Sequence, residues 1–240
     1  MKLTTLLATT GLLFAGLSLH AQAILDTEHA DVGINYEDGA WDLHIHDETH
    51  DIEYAPADAI LRVNGSAQTT ISANPLFNFL GTPDSAIWIL PNAQDANLLF
   101  LGFGAEELAG GLFVGDSVSM RLHSVSGPGS FAVFDFNSLG EPIVVMNSLD
   151  GFSAADTFSA VPGSHSDLNW AFSQPGLYTV NFEASGTLAD GNAFTSSGPV
   201  AYTFEVVPEP STWVLMALGG AGLVASGIRR RFTSLRPRSH

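Results

Sequence analysis

The stretch "DVGINYEDGAWDLHIHDE", residues 31–48, decides the fold because it predicts both a hairpin and its register. Asp38 and Gly39 stand between two runs in which apolar and polar residues alternate. An Asp-Gly pair in that setting predicts a two-residue loop with positive φ at both positions. One face of the predicted hairpin is entirely apolar and carries Val32, Ile34, Tyr36, Trp41, Leu43 and Ile45. A one-residue slip would mix the two faces, so the pattern supports this register independently of the turn.

The opposite face of the hairpin is polar and carries side chains that bind metal ions. Asp31 is predicted to face His46 across the strands, with His44 on the same face. Cross-strand neighbours lie roughly 4.5–5.5 Å apart, so we expect Asp31, His44 and His46 to converge on one ion. The fourth ligand would be His29 or a side chain from a distant segment. Imidazole and carboxylate together favour Zn²⁺, with Mn²⁺ or Ni²⁺ as alternatives. The competing interpretation is a solvated polar face that holds no ion.

A candidate for the distant ligand is His165, in the stretch "GSHSDLNWAF" at residues 163–172. It precedes Asp167 and Trp170 by spacings that a strand or its entry loop can use. The spacing makes His165 a candidate ligand of the metal site, with Asp167 as a further candidate. The alternative is that His165 is a capped loop residue with no ligand role.

Short runs rich in Val, Ile, Phe and Tyr recur through residues 24–207, separated by Gly, Pro, Asn and Asp. This pattern predicts an all-β fold, namely one antiparallel β-sandwich domain of immunoglobulin-like or jelly-roll-like type. Within "QPGLYTV", residues 174–180, Tyr178 is predicted to form a tyrosine corner, in which the hydroxyl bonds to nearby backbone.

The charge of the chain is strongly acidic, and its cysteine count is zero, which excludes disulfides, thiolate zinc sites and cysteine nucleophiles. Residues 24–207 hold 24 of the 25 acidic residues but only two of the eight Lys and Arg residues, Arg62 and Arg121, so their formal balance is −22. This charge disfavours nucleic acid and anionic membrane surfaces as partners and favours cations. Excess acid also serves simply to keep an exported domain soluble.

Sequence motifs of catalysis are missing. The chain contains no Gly-x-Ser-x-Gly elbow, no His-Glu-x-x-His pair and no phosphate loop. Glu106 and Glu107 are adjacent, and adjacent side chains on a strand point to opposite faces rather than flanking a substrate. We therefore expect that the protein is not an enzyme.

The first residues of the chain have the layout of a secretory signal peptide. Residues 1–23 combine Lys2, an apolar run and the small-residue sequence Ala21-Gln22-Ala23. We expect signal peptidase to cleave after Ala23, so that residues 24–207 form the exported domain.

The last part of the chain predicts a single transmembrane helix. Residues 210–228 are free of charge and span roughly 28 Å as a helix, about the thickness of a hydrocarbon core. Arg229, Arg230 and Arg231 follow directly, which predicts that residues 232–240 form a basic tail in the cytoplasm.

The same region, "VPEPSTWVLMALGGAGLVASGIRRR" at residues 207–231, resembles the PEP-CTERM sorting signal. The elements that carry the resemblance are a Pro-Glu-Pro, a short membrane span and an arginine cluster, here Pro208, Glu209, Pro210, Arg229, Arg230 and Arg231. The resemblance implies that residues 208–231 are a sorting signal. It also implies a Gram-negative host that makes an exopolysaccharide matrix. It further implies recognition by an exosortase and a transient anchor in the inner membrane. The mature protein is then expected at the cell surface or in the extracellular matrix.

The exported region resembles the choice-of-anchor M domains, a family of surface-anchored proteins. The matching stretches are "DVGINYEDGAWDLHIHDE" at 31–48, "FVGDSVSMRLHSVSGPGSFAVF" at 113–134 and "GSHSDLNWAFSQPGLYTVNFEASGTLADG" at 163–191. The resemblance places His44, His46 and His165 in the His-bearing motifs of the family. Asp167 stands where family members usually carry a second histidine, which reduces the number of nitrogen ligands and weakens the preference for zinc.

Two functions follow as expectations. The first is a surface module that captures or buffers a divalent metal ion through its His and Asp side chains. The second is a structural or adhesive matrix protein without a metal site, whose acidic sandwich contacts exopolysaccharide or partner proteins.

Overall fold

The computed structural model describes residues 21–208. Most of the predicted signal peptide, residues 1–23, lies outside this range, as do nearly all of the sorting signal, residues 208–231, and the whole tail, residues 232–240. Within residues 21–208 we find no helix with the length and apolar character needed to cross a membrane.

The described residues form seventeen strands and three short 3-10 helices. The strands are β1 (Ala23–Leu25), β2 (His29–Glu37), β3 (Ala40–Asp47), β4 (Ile52–Tyr54), β5 (Ala59–Val63), β6 (Gln68–Thr70), β7 (Ala86–Leu90), β8 (Phe100–Gly104), β9 (Val118–Ser126), β10 (Phe131–Phe136), β11 (Pro142–Asn147), β12 (Thr157–Ala160), β13 (His165–Asp167), β14 (Asn169–Phe172), β15 (Gly176–Thr187), β16 (Phe194–Ser196) and β17 (Val200–Val206). The 3-10 helices are Pro56–Asp58, Gly65–Ala67 and Pro75–Leu80.

These strands assemble into three sheets over residues 21–208. The first sheet has the order β1-β5-β17-β15-β9-β12, with β16 added to β15, the second has the order β13-β8-β2-β3-β4, and the third has the order β11-β10-β14-β7-β6. Three strand pairs are parallel in this part of the chain: β1 with β5, β5 with β17, and β2 with β8.

The prediction of an all-β fold is confirmed, but the prediction of one antiparallel sandwich is wrong, because three strand pairs are parallel and the strands form three sheets. Alternation of apolar and polar residues reports which face of a strand is buried, and it carries no information about the strand's neighbours. The strands β2 and β8 are parallel neighbours, and parallel pairing needs a long connection between the two strands. The intervening chain here contains β3 to β7 and thereby reaches all three sheets.

The hairpin of β2 and β3 has the predicted register. Asp38 and Gly39 take φ of 51° and 82°, as a tight two-residue loop requires. The strand pairing brings together Asp31 with His46, Val32 with Ile45, Gly33 with His44, Ile34 with Leu43, Asn35 with Asp42, and Tyr36 with Trp41. On the apolar face the four central residues are buried, while Tyr36 and Trp41 pack partly buried against the core.

A single aromatic cluster connects the three sheets. The ring of Trp170, on β14 of the third sheet, lies 5.0 Å from the ring of Phe103 in the second sheet and 5.9 Å from that of Phe204 in the first. Its indole Nε1 donates a 2.8 Å hydrogen bond to the carbonyl of Leu101. Because this polar group is satisfied inside the core, Trp170 fixes the third sheet against β8 of the second.

The predicted tyrosine corner is also present. The buried hydroxyl of Tyr178 donates a 2.8 Å hydrogen bond to the carbonyl oxygen of Gln174 and accepts one of 3.2 Å from the same residue's N–H. These bonds close the turn that leads into β15.

The segment from His165 to Trp170 passes from one sheet to another. Residues His165–Asp167 pair with β8 in the second sheet, whereas Asn169–Phe172 pair with β7 and β10 in the third. Leu168 between them is buried. This crossover holds His165 and Asp167 on the polar face of the second sheet while Trp170 enters the core.

Candidate metal centre

The polar face of the second sheet is built from four adjacent strands, β13, β8, β2 and β3. One row across these strands reads Asp167, Gly102, Asp31 and His46. The next row reads His165, Gly104, Gly33 and His44. Strand β8 therefore separates the hairpin from the segment that carries His165, and it contributes only glycines to these two rows.

The glycines leave space for polar side chains to lie across the sheet. A Cβ atom added at Gly33 would overlap the imidazole ring of His44. One added at Gly102 would overlap Asp31 Oδ1, and one added at Gly104 would stand 3.1 Å from Asp31 Oδ2. The carboxylate of Asp31 thus rests over the backbone of β8, where a larger residue would block it.

Asp31 is the electrostatic centre of this face. It is only 1% exposed, and neither of its carboxylate oxygens has a hydrogen-bond partner among the residues that the structure describes. Burial disfavours the charged form and raises the pKa of Asp31 to about 6, against a smaller opposing effect of His29 and His165. A buried carboxylate without a partner is costly, so the site is suited to a positively charged ligand.

A second acidic side chain reaches Asp31 from the loop that follows β8. Glu106 Oε1 lies 2.9 Å from Nδ1 of His165, and ligand atoms of Asp31, Glu106 and His165 all lie within 4.8 Å of one another. The contact with Glu106 is the main cause that raises the pKa of His165. Two carboxylates and one imidazole from three separate segments therefore meet at one point.

The second ring nitrogen of His165, Nε2, borders another group of polar side chains. His165 Nε2 lies 3.8 Å from Asp167 Oδ2, and His29 Nε2 lies 3.3 Å from Asp167 Oδ1. Ligand atoms of His29, His165 and Asp167 also lie within 4.8 Å of one another. Both further candidates from the sequence, His29 and Asp167, are thus next to His165 rather than next to the hairpin's other histidines.

The two remaining predicted ligands, His44 and His46, belong to different groups. Their ring centroids are 6.4 Å apart. His46 lies with Glu48 and Glu106, and its Nδ1 is 2.8 Å from Glu48 Oε1.

His44 lies with Glu53 and Glu107. Its ring is buried, and its Nδ1 has no hydrogen-bond partner within the described part of the chain. The structure therefore brings Asp31 and His165 together, whereas His44 and His46, which were expected to converge on one ion with Asp31, lie in neighbouring groups.

Glu106 is the site residue that the sequence analysis missed. Its neighbour Glu107 was expected to point the opposite way on a strand, but β8 ends at Gly104 and both residues lie in the bend that follows. The backbone N–H of Ala105 bonds the carbonyl of Ser164 at 2.8 Å, which holds this bend beside β13. The alternating glycines of "FLGFG" at residues 100–104 were the available signal that a side chain crosses over the strand.

Substitution of Gly102 is expected to damage this face. The Cβ of Gly102→Ala would overlap Asp31 and stand 2.8 Å from the Ser166 carbonyl oxygen, which is backbone and cannot move aside. We expect a loss of about 1–3 kcal/mol in the free energy of unfolding, measured by urea denaturation. The matched control is Gly110→Ala, where an added Cβ meets nothing within 4 Å in the described structure and the effect should stay within about 0.5 kcal/mol. Equal stability of the two variants would contradict the close approach of Asp31 to β8.

The part of the chain that the structure describes is a β-protein with a cleft of acidic and histidine side chains over one sheet. Comparison with known protein families assigns the end of the chain: residues 206–231 match the PEP-CTERM protein-sorting motif. This motif indicates export and membrane-anchored sorting by an exosortase in Gram-negative bacteria. No curated protein and no solved structure matches the chain.

Proposed function

We propose that this exported, exosortase-sorted protein binds a divalent cation at the cell surface through Asp31, Glu106 and His165. The observation that carries the proposal is the carboxylate of Asp31, which is buried and has no hydrogen-bond partner among the described residues. A cation at this point would compensate the charge that the fold has removed from water. The ligand atoms of Glu106 and His165 are within 4.8 Å of it and of each other.

The contact between Glu106 and His165 prepares the site. In the absence of a cation, a proton shared between Glu106 Oε1 and His165 Nδ1 holds the two side chains together at 2.9 Å. A cation would replace that proton and draw on the same two atoms. Asp167, on the other side of the ring, would then orient His165 through Nε2, as carboxylates commonly do for ligating histidines.

The donor set favours a cation that accepts both oxygen and nitrogen ligands. Two carboxylates and one imidazole suit Zn²⁺ and also Mn²⁺, whereas softer metals would seek sulfur, and the chain has no cysteine. The formal balance of −22 in residues 24–207 would concentrate divalent cations around the domain. We assign the protein a role in capture or buffering of the cation, with no catalytic step.

A structural or adhesive role in the exopolysaccharide matrix is the second candidate. One observation favours it: Phe194 is 71% exposed beside a cleft lined by the hydroxyl or amide side chains of Ser119, Ser185, Thr187 and Asn192. An exposed ring next to such groups offers both an apolar face and hydrogen bonds to a neutral polymer. This role needs no metal, so cation binding separates the two candidates.

The test is equilibrium dialysis of the purified full-length chain against Zn²⁺ at pH 7.5. We expect His165→Ala to weaken binding by about tenfold or more, because it removes the imidazole ligand. The matched control is His123→Ala, which removes an exposed histidine on β9 and should leave the affinity unchanged. Failure of the unmodified chain to bind Zn²⁺ or Mn²⁺ would favour the matrix role.

A further inference from the structure

We infer that the cleft holds two cations, bridged by Glu106, with His46 and Glu48 completing the second position. This inference rests on the proposed function, because the first position is the one formed by Asp31, Glu106 and His165. The second position lies in the same cleft, whose lining includes Asp31, His46, Glu48 and Glu106.

Glu106 belongs to both sets of ligands. Its carboxylate lies within 4.8 Å of the ligand atoms of Asp31 and His165 in one set, and of His46 and Glu48 in the other. A carboxylate has two oxygens, and in two-metal sites such a group bridges ions that stand about 3.5–4 Å apart. Glu106 is therefore placed to give one oxygen to each cation.

Asp31 lies between the two sets of ligands. It faces His46 on one side through the hairpin register and Gly102 on the other side through β8. Both of its oxygens are buried and lack a hydrogen-bond partner in the described residues. A second cation bound at His46, the cross-strand neighbour of Asp31, would compensate this buried charge further without taking Asp31 as a ligand.

The cleft also carries several negative charges. Asp31, Glu48 and Glu106 bring three carboxylates to one cleft, and Glu107 adds a fourth at its edge. Arg62 and Arg121 pair with Glu205 and Glu183 elsewhere on the molecule, so no arginine neutralises this cleft in the part of the chain that the structure describes. One divalent cation leaves a net negative cleft, while two bring it close to neutrality.

The neighbouring group of His44, Glu53 and Glu107 does not provide the second position. It shares no residue with the first set, so no carboxylate could bridge the two positions, and its carboxylates are exposed, as that of Glu106 is. His46 and Glu48 are less exposed, with side-chain accessibilities of 20% and 27%, and their atoms are already 2.8 Å apart. Glu48 Oε1 is buried and has no hydrogen-bond partner among the described residues, so a second cation would supply the partner that this oxygen lacks.

The experiment is a count of bound Zn²⁺ by plasma mass spectrometry on the full-length chain after equilibrium dialysis. We expect two Zn²⁺ per chain for the unmodified protein and for His123→Ala, and one for His46→Ala. Glu48→Gln is a milder change to the second cation position and should also reduce the count to one Zn²⁺ per chain. A folding defect of His46→Ala therefore cannot decide the outcome alone. A count of one for the unmodified chain overturns this inference and leaves the proposed function intact, whereas a count of zero overturns both.

Bridging by Glu106 is tested separately from the count. Glu106→Ala removes both carboxylate oxygens, one from each set, so the affinity for both cations should fall by about tenfold or more. Two independent sites would instead show the loss of one Zn²⁺ with the other bound as before. That result would contradict the bridge.

Discussion

Asp31→Asn is expected to stabilise the metal-free protein by about 2–3 kcal/mol at pH 7.5. The same substitution is expected to remove most of the stabilisation that Zn²⁺ gives the protein. Burial raises the pKa of Asp31 to about 6, so the folded state holds the proton more tightly than the unfolded state between about pH 4 and 6. The fold therefore loses stability as the pH rises through this window, and the full penalty applies above it. The amide that the substitution introduces is neutral at every pH, so it avoids the cost of burying a charge.

Urea denaturation at pH 7.5 and at pH 4 measures this effect, with chelator present to keep the protein metal-free. The gain should be largely lost near pH 4, because Asp31 is then neutral in the folded state and about half neutral in the unfolded state. Asp190→Asn, which changes an exposed aspartate, should alter stability by less than about 0.5 kcal/mol at either pH. A destabilised Asp31→Asn at pH 7.5 would mean that the carboxylate is already compensated in the metal-free fold.

Zn²⁺ is expected to raise the melting temperature of the protein by about 5–10 °C when the free concentration is about 100 times the dissociation constant. Binding to the folded state alone contributes about 2.7 kcal/mol at that ratio, and each kcal/mol shifts the midpoint of a domain of this size by about 2–4 °C. Calorimetry with and without chelator measures the shift. His165→Ala should lose most of it, and His123→Ala should keep it.

The same shift should depend on pH in a defined direction. Metal ligands bind in their deprotonated forms. The pKa of Asp31 is raised to about 6 by burial, and that of His165 is raised by its hydrogen bond to Glu106. The stabilisation by Zn²⁺ should therefore shrink as the pH falls through about 6 and vanish near about pH 4.5. A shift that is constant from pH 7.5 to pH 5 would exclude these residues as the ligands.

The hairpin was predictable from sequence to the level of individual residue pairs. Asp38-Gly39 permits one tight turn, and the alternation around it permits one register, so Asp31 could be placed opposite His46 without knowledge of the rest of the fold. Tyr178 was predictable for a similar reason, because its Pro-Gly turn and its hydrogen-bonding partner are both local.

The composition of the site was not predictable, because it depends on a strand pairing between distant segments. Strand β8 inserts between β2 and β13, and this pairing sets which of the histidines approaches Asp31. Without β8, the hairpin's own histidines were the natural partners. With it, the bend after Gly104 brings in Glu106, a residue whose local pattern predicted only a strand with diverging side chains.

The parallel pairs of the fold escaped prediction for the same physical reason. Each strand's pattern of burial is local, but the choice of neighbour is made by packing among aromatic residues far apart in sequence, such as Phe103, Trp170 and Phe204. The glycines of β8 show what a sequence does offer in such a case. Glycine weakens the interior of a strand, so Gly102 and Gly104 indicate that another group needs the space above β8. Here that group is the Asp31 side chain.

Anomalous X-ray diffraction at the zinc absorption edge, on crystals of the full-length chain grown with Zn²⁺, tests the central claim most directly. The account predicts an anomalous peak within about 2.3 Å of ligand atoms of Asp31, Glu106 and His165. Zinc peaks found only at other acidic side chains, with the carboxylate of Asp31 still without a ligand, would contradict it.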